Sequence, residues 1–167
     1  MNIEIEKKQG RRAGVLFNKS IYVIETYSGR GLVGRDPLGS QHILMSDAND
    51  EALGSALQDA LSKSRVVSME EYPKFFDSEE SARQYENWVA RLMEFGKYKT
   101  RRSLFKEMIC CNVKYVEGVI HISPTRHKKL EAWGRARGDS MEDVVLPSDA
   151  GIKDLGGALR IALGRCL

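Results

Sequence analysis

The sequence predicts an α+β (mixed α/β) domain, in which one central, mostly antiparallel sheet is covered by helices. Three observations predict this class: apolar runs of strand length flank short turns, amphipathic stretches of helical period follow them, and one strand–helix unit occurs twice. At 167 residues the chain is long enough to bury a core, so we expect a single domain.

The repeated unit occupies residues 42–65 and 144–167, related by a constant offset of 102 positions. Ten residues are identical within this 24-position window, where ordinary residue frequencies give roughly one or two matches. In the first copy they are Leu44, Ser46, Asp47, Ala48, Leu53, Gly54, Ala56, Leu57, Ala60 and Leu61. These residues are mostly aliphatic and small, so the repeat indicates architecture rather than chemistry.

The first half of the domain covers residues 15–65, after a basic N-terminal segment (1–14) that is expected to be loosely held. Apolar runs on both sides of residues 18–20 predict a hairpin, and the glycines and proline of residues 29–39 predict a loop. A third strand is predicted from His42 to Met45. Asn49 is then suited to cap a helix with one apolar face.

Residues 66–108 are predicted to be a helical insert between the two halves. Ser68, either Asp77 or Ser78, and Thr100 are the predicted N-caps, and Gly96 marks a helix end.

The second half, residues 109–167, repeats the scheme of the first. Two strands flank the turn Glu117-Gly118, and Ser123-Pro124 predicts a short helix through about Trp133. A strand over residues 144–146 and a helix over residues 152–164 complete it.

Composition excludes several classes of protein. The formal net charge of +3 is too small to dictate a partner, and no apolar run approaches the roughly 20 residues of a membrane span. The N-terminal residues lack a signal-peptide pattern, and three cysteines make no disulfide framework. We therefore expect a cytoplasmic protein that does not bind membranes.

Residues 29–34, Gly29-Arg30-Gly31-Leu32-Val33-Gly34, match the G-x-G-x-x-G pattern of dinucleotide-binding proteins. Such a site also needs a helix that begins at the glycines and binds the pyrophosphate at its N-terminus. The sequence that follows, Arg35-Asp36-Pro37-Leu38-Gly39, cannot begin a helix. The glycines are therefore interpreted as a connecting loop, and no nucleotide cofactor is expected.

Metal and catalytic sites are not predicted either. The available ligands, His42, His121, His127, Cys110 and Cys111, form neither a C-x-x-C pair nor a histidine pair at helical spacing. No serine lies in a G-x-S-x-G elbow, and vicinal cysteines at the start of a strand usually pack as small apolar residues. The sequence thus indicates a protein that is not an enzyme.

Charged residues cluster in three places. Two basic runs, residues 97–106 and 126–137, are compatible with a small nucleic-acid-binding protein, although the solvated faces of short helices look the same. The third cluster, residues 70–80, combines acids with aromatic side chains and is called the acidic segment below. Its acids are either the first turns of helices or a surface that docks a basic protein. The candidate contact residues are Glu70, Glu71, Tyr72, Phe75, Asp77, Glu79 and Glu80.

Five further stretches identify a family by resemblance. They are Glu25-Thr26-Tyr27-Ser28-Gly29-Arg30-Gly31-Leu32 with Gly34-Arg35-Asp36, the helix of residues 47–61, Lys99-Thr100-Arg101-Arg102-Ser103-Leu104-Phe105-Lys106, Ile122-Ser123-Pro124-Thr125-Arg126-His127, and Leu155-Gly156-Gly157-Ala158-Leu159-Arg160. In these stretches the chain resembles the CdiI-type immunity proteins of bacterial contact-dependent growth inhibition (CDI) systems. The similarity covers nearly the whole chain beyond about residue 14.

The resemblance implies a cytoplasmic antitoxin that binds the C-terminal toxin domain of a CDI effector in a 1:1 complex. Such toxins are very often nucleases, many of them tRNases, and nuclease inhibitors are commonly acidic. Because this chain is slightly basic, any mimicry of nucleic acid would have to be local, which directs attention to the acidic segment.

Overall fold

The computed structural model describes residues 2–167 and confirms the α+β class. Over this range the chain forms nine strands and six α-helices. The strands are β1 (Arg11–Phe17), β2 (Ile21–Arg30), β3 (Leu32–Arg35), β4 (Gln41–Met45), β5 (Ile109–Val116), β6 (Val119–Pro124), β7 (Arg126–Lys129), β8 (Ala132–Gly134) and β9 (Val144–Pro147). The helices are α1 (Asn2–Gln9), α2 (Asp50–Ser62), α3 (Tyr72–Phe75), α4 (Ser78–Gly96), α5 (Arg101–Phe105) and α6 (Ile152–Gly164).

Within the described chain, seven strands form one antiparallel sheet in the order β3-β2-β1-β5-β6-β9, and β4 also pairs with β2. The 10-residue strand β2 pairs twice along the same edge, first with β4 and then with β3. Strands β7 and β8 form a separate two-stranded hairpin. The turn at Glu117-Gly118 joins β5 to β6 as predicted, with positive φ at both residues.

Both faces of the central sheet are covered by apolar packing. On one face Val15, Ile24 and Val113 belong to a core built with α2 and α6. On the other face Leu16 and Val23 belong to a core built with α4 and α5. Successive side chains of a strand point to opposite faces, so a strand buried on both sides is apolar throughout. This explains the continuous apolar runs of β1 and β2.

The sequence repeat corresponds to the units β4–α2 and β9–α6, whose helices pack against each other. A Cβ atom built on Gly54 would lie 1.8 Å from the carbonyl oxygen of Ile152, and one built on Gly156 would lie 1.9 Å from that of Asp50. Because Asp50 and Ile152 are related by the same offset of 102 as the two glycines, the contacts are reciprocal. The repeated glycines therefore allow the two helix backbones to touch.

The N-terminal segment is more ordered than the sequence suggested. Residues 2–9 form α1, and β1 already begins at Arg11, so the expectation of a loosely held tail is wrong. The buried Gln9 explains the order, since its side-chain amide donates to the Arg65 carbonyl oxygen at 3.1 Å. Its amide oxygen also accepts from the Gly31 backbone at 3.1 Å. Met1 lies outside the described residues.

The glycine-rich stretch is a hairpin, and the predicted loop is wrong over residues 29–34. Strand β2 continues to Arg30, and Gly31 makes the turn into β3 with φ of 84°. At Gly29 a Cβ atom would lie 1.9 Å from the Leu32 carbonyl oxygen. The glycines thus permit a tight turn and a close approach of two strands, and no helix follows them.

The short helix predicted from Ser123-Pro124 to Trp133 is also wrong. Strand β6 runs through Pro124, and the hairpin β7–β8 follows. The C-terminus explains the difference: His127 N–H donates to the Leu167 carbonyl oxygen at 2.7 Å, and Leu167 N–H donates to that of Thr125 at 3.1 Å. A residue 40 positions along the chain thus stabilises extended backbone here.

The insert is helical as predicted, with corrections at its ends. Asp77 caps α4, and its carboxylate accepts from the Glu80 N–H at 3.0 Å. Thr100 caps α5 as predicted; the sequence predicts that this short helix runs through Met108, whereas it ends at Phe105. Ser68 does not cap α3; its hydroxyl accepts from the Glu71 N–H at 3.1 Å in the turn that precedes the helix.

Candidate functional site

The acidic segment begins the insert and presents its acids in three ways. Glu70 and Glu79 are exposed to solvent, and Asp77 is exposed while capping α4. Glu80 binds Arg83 one turn later in the same helix, at 2.5 Å. The prediction of a helix first turn is confirmed for Asp77, Glu79 and Glu80 at the start of α4, whereas the docking surface stays a prediction.

Glu71 has an internal partner that the sequence did not reveal. The Arg65 guanidinium binds Glu71 through Nη1 at 2.6 Å and binds the buried carboxylate of Asp36 through Nε at 2.9 Å. Hydrogen bonds from Arg65 hold the pKa of the Glu71 carboxyl below its usual range. Arg65 thereby connects α3 to the loop after β3, so Glu71 fixes the position of the insert.

The aromatic side chains of the segment pack against one another. The ring centroids of Phe75 and Phe76 are 4.8 Å apart with an edge-to-face angle of 70°, and those of Tyr72 and Phe76 are 5.2 Å apart. Tyr72 and Phe75 are half-buried, which leaves part of each ring on the surface. This geometry holds rigid aromatic groups beside exposed acids, as protein-binding surfaces commonly do.

A cleft of about 610 Å³ lies next to the acidic segment. Phe75 and Phe76 form part of one wall, α4 contributes Tyr85, Trp88 and Arg91, and the strands β2 to β4 form the floor. The cleft therefore lies between the insert and the edge of the sheet formed by β3 and β4.

A buried carboxylate lies in the floor of this cleft. Glu25 is 1% exposed and accepts hydrogen bonds from Arg35 Nε at 2.7 Å and from Trp88 Nε1 at 2.9 Å. Gln41 Nε2 donates to the same carboxylate at 3.2 Å. These three donors satisfy the hydrogen-bonding capacity of the Glu25 carboxylate without a ligand. Because they come from β3, β4 and α4, the carboxylate links three elements of the fold.

Arg35 completes this arrangement by lying flat on the indole of Trp88, with its guanidinium carbon 3.8 Å from the ring centroid. Burial is the largest single influence and lowers the pKa of the Arg35 guanidinium, but Glu25, Tyr27 and Tyr85 together outweigh it and the net shift is upward. The floor of the cleft therefore contains the Glu25–Arg35 ion pair, and the Trp88 indole covers the guanidinium.

Sequence reasoning did not place Glu25, Arg35 or Trp88 in a site. Glu25 and Arg35 occurred only within a family motif, and the helical spacing of Tyr85, Trp88, Val89, Leu92 and Met93 predicts only an apolar stripe in the insert. The available signal was a single glutamate within the apolar run of residues 21–24 and Thr26, since a buried polar residue is more informative than an exposed one.

The two basic runs are brought to one surface, because α5 packs beside the β7–β8 hairpin. Arg101 binds Glu131 of the hairpin at 2.6 Å and Glu86 of α4 at 2.8 Å, and the rings of Phe105 and Trp133 are 6.1 Å apart. Other cations of the runs are exposed: Lys97, Lys99, Arg102, Lys106, Lys128, Lys129 and Arg137.

Four of the remaining candidates have structural roles. His42 Nε2 lies 2.7 Å from Asp59 Oδ2, and His127 stacks on Trp133 at 5.0 Å. Cys110 and Cys111 are buried on opposite faces of β5, which confirms that they pack as core residues. Across residues 2–167, His, Cys, Asp and Glu side chains form no group of three or more that could hold a metal ion.

No helix in the described range combines the length and apolarity required to cross a bilayer.

Comparisons with known proteins agree over almost the full chain. The sequence model of the CDI immunity protein family (CdiI) matches residues 11–166. Immunity protein CdiI-YPIII of Yersinia pseudotuberculosis is 38% identical over an alignment that covers 92% of this chain and 94% of the relative.

Two solved structures match closely in backbone. A Neisseria meningitidis protein of unknown function superimposes with a TM-score of 0.87 at 40% identity, over 94% of this chain and 95% of that one. A chain from a CdiA-CT/CdiI toxin and immunity complex of Yersinia pseudotuberculosis gives a TM-score of 0.85 at 36% identity, over 94% and 97% of the two chains.

Proposed function

This chain belongs to the CDI immunity protein family, and from that premise we propose that it binds and neutralises the C-terminal toxin domain of a CDI effector. The observation that carries the proposal is the match to a chain from a toxin and immunity complex, which extends over 94% of this protein. The match also covers 97% of that chain, so the two proteins share the fold over nearly their whole lengths.

Neutralisation occurs by stoichiometric binding in a 1:1 complex, with no bond made or broken by the immunity protein. The polar groups of the cleft support this mode, because Glu25 and Arg35 are engaged with each other at 2.7 Å. A general base must be free to accept a proton from a substrate, whereas this carboxylate is already held by three donors. The arrangement gives a rigid surface instead of a reactive one.

The proposed contact surface is the acidic segment together with the adjacent rim of the cleft. Glu70 and Glu79 supply unshielded negative charge, while Tyr72 and Phe75 supply half-buried aromatic anchors. Glu71, Asp77 and Glu80 contribute to the field of the surface while holding its shape through their internal bonds. Complementary charge of this kind increases association rates and favours a basic partner.

The toxin is proposed to be a nuclease, such as a tRNase, that acts in the cytoplasm of the target cell. Nuclease surfaces that bind phosphate are positively charged, so an acidic segment with aromatic neighbours fits them. Activity of the isolated toxin domain on tRNA, and on duplex DNA as the other nuclease substrate, tests this point separately from binding.

The test of function is co-expression with the cognate toxin domain. We expect growth to be rescued and a 1:1 complex to be recovered by size-exclusion chromatography. Lack of rescue together with lack of a complex would contradict the proposed function, whatever surface is involved.

The test of the surface uses two variants of equal charge change. Glu70→Lys/Glu79→Lys is expected to weaken toxin binding about tenfold at low salt, mainly by slowing association. The matched control Glu94→Lys/Glu142→Lys alters two exposed acids outside the acidic segment and is expected to change affinity less than about twofold. Equal affinities for both variants would move the interface elsewhere and leave the function intact.

A second candidate function, direct nucleic-acid binding, is favoured by one observation: the two basic runs meet on one surface through the Arg101–Glu131 ion pair. The isolated protein would then bind tRNA or duplex DNA with an affinity that falls steeply with salt. Lys99→Glu/Lys128→Glu would weaken such binding and leave the toxin complex unchanged.

A further inference from the structure

Two cysteines that are distant in sequence lie in contact in the folded protein. The Sγ atoms of Cys111 in β5 and Cys166 near the C-terminus are 3.6 Å apart. Both are free thiols, and 55 residues separate them along the chain. A disulfide requires an S–S distance of about 2.05 Å, so the two sulfur atoms need to approach each other by about 1.5 Å.

The sequence repeat shows what is special about Cys166. With the offset of 102, Cys166 occupies the position of Ser64 in the first copy. Ser64 Oγ donates to the Tyr27 carbonyl oxygen of β2 at 2.6 Å, and Cys166 Sγ donates to the Cys110 carbonyl oxygen of β5 at 3.3 Å. Both side chains fasten the end of a repeat helix to a central strand, and only the second copy uses a thiol.

The two thiols differ in access to solvent. Cys111 is 0% exposed, whereas Cys166 is partly exposed. A hydrogen bond from the Cys111 thiol lowers the pKa of Cys166, against the opposing effect of burial, and raises the pKa of Cys111. The thiolate therefore forms at the sulfur that an external reagent can reach.

We propose that Cys111 and Cys166 are a dithiol oxidation site that reacts with a small disulfide such as oxidised glutathione. The Cys166 thiolate attacks one sulfur of the reagent, breaks its S–S bond and releases one glutathione thiolate, which takes up a proton. Cys111 then loses its proton and attacks Cys166 Sγ, which releases the second glutathione. In total the protein gives up two electrons and two protons, and one oxidised glutathione becomes two reduced molecules.

The disulfide would join β5 to the end of α6 and close a loop of 55 residues. Closing a loop of this size restricts the unfolded chain, so the oxidised protein is expected to melt about 10 °C higher than the reduced one. This site is independent of toxin binding and does not rest on the proposed function.

The test is incubation of the whole protein with oxidised glutathione, followed by mass spectrometry and peptide mapping under non-reducing conditions. We expect a mass loss of two hydrogens, a Cys111–Cys166 peptide and a reductant-sensitive rise in melting temperature. Cys166→Ser should fold normally, because Ser64 fills the same position in the first copy, and should form no disulfide.

Cys110→Ala is the matched control, since the Cys110 side chain lies in the core on the other face of β5 and burial raises its pKa to about 12. This variant should still form the Cys111–Cys166 disulfide. Three free thiols after oxidation, a glutathione on Cys166 that is never displaced, or a bridge to Cys110 would each overturn the proposal.

Discussion

The two copies of the repeat have the same interior and different surroundings. In both copies the N–H of an alanine closes the turn before the helix, from Ala48 to the Met45 carbonyl oxygen at 3.0 Å and from Ala150 to that of Pro147 at 3.1 Å. The identical leucines belong to the shared core and the identical glycines contact the other helix, while Ser46 and Asp47 and their counterparts are exposed in the turn. The repeat therefore maintains the core, whereas the proposed contact surface lies in the insert, outside both copies.

The two copies differ in the surroundings of their strands and in the polarity of their helices. Its strand β4 borders the cleft through Gln41, whereas β9 of the second copy lies at the opposite edge of the sheet. On the helix, Asp59 of α2 corresponds to Ile161 of α6, which is 56% exposed. Only the first copy therefore has a polar outer face that connects its helix to the strand beside the cleft.

The largest expected loss of stability comes from substituting the repeated glycines in the shared interior. Gly54→Ala and Gly156→Ala should each lower the free energy of unfolding by about 4 kcal/mol, because the added methyl would collide with a backbone carbonyl. The double variant should lose less than the sum, since one separation of the helices relieves both collisions. Urea unfolding of the three variants measures this.

Gly157→Ala is the control for helix propensity. Its methyl would approach only Asp50 Oδ2, at 3.8 Å, so this variant should be as stable as the wild type or gain up to about 1 kcal/mol. Strict additivity of the Gly54 and Gly156 variants would contradict the reciprocal contact.

The buried ion pair under the cleft distinguishes the first half of the chain from the second. Glu25→Gln should lower the free energy of unfolding by about 3 kcal/mol, because it leaves Arg35 charged, largely buried and unpaired. Glu25→Gln/Arg35→Gln should recover part of that loss. If the double variant proved less stable than Glu25→Gln, the pair would not be the reason for the effect.

The Asp59 contact predicts a pH dependence that the second copy cannot show. Hydrogen bonds from Ser40 and then His42 lower the pKa of Asp59 to about 2. Because the pKa of Asp59 in the folded state is below its unfolded value of about 3.9, the ionised carboxylate stabilises the fold above that pH. This stabilisation is lost as the pH falls toward 2.

Asp59→Asn should therefore cost about 1 kcal/mol at pH 7, allowing for screening at a side chain that is 37% exposed. The difference from the wild type should shrink between about pH 4 and pH 2. Ile161→Asn, at the equivalent exposed position, should change stability by less than about 0.5 kcal/mol at any pH in this range. A constant difference between Asp59→Asn and wild type would show that the carboxylate charge is unimportant.

The smallest expected effect concerns the helix caps. The Asn49 side chain accepts from the Ala52 N–H at 2.8 Å, whereas Gly151 at the same position of the second copy makes no side-chain cap. Asn49→Ala should cost about 1 kcal/mol, and Gly151→Asn should gain a few tenths. Thermal melts of both variants measure the sign of each effect. A loss and a gain of equal size would mean that the two caps are interchangeable.

Local patterns in the sequence were sufficient for most helices and for the core strands. The spacing of Leu53, Leu57 and Leu61 predicted the buried face of α2, and the repeat predicted its partner α6 correctly. The errors arose where distant residues decide the backbone. Gln9 orders the N-terminal segment through its hydrogen bond to Arg65, and Leu167 holds residues 125–127 extended. Neither contact can be recognised from the residues next to it in the sequence.

The candidate site was predicted less completely. The acidic segment was found from its composition, but the division of its acids into exposed and internally bonded groups required the position of Arg65. The cleft could not be found because Trp88 of α4 contacts Glu25 in its floor across 63 residues of sequence, and this contact depends on the packing of the insert.

The central claim is that the protein neutralises its toxin by occupying it and performs no reaction. The most direct test is a titration of the protein into a fixed concentration of the cognate toxin domain, well above the dissociation constant, with residual toxin activity as the readout. We predict a linear fall that reaches zero at one equivalent and does not change with time. Complete loss of toxin activity at a small fraction of one equivalent, progressing with time, would contradict the claim.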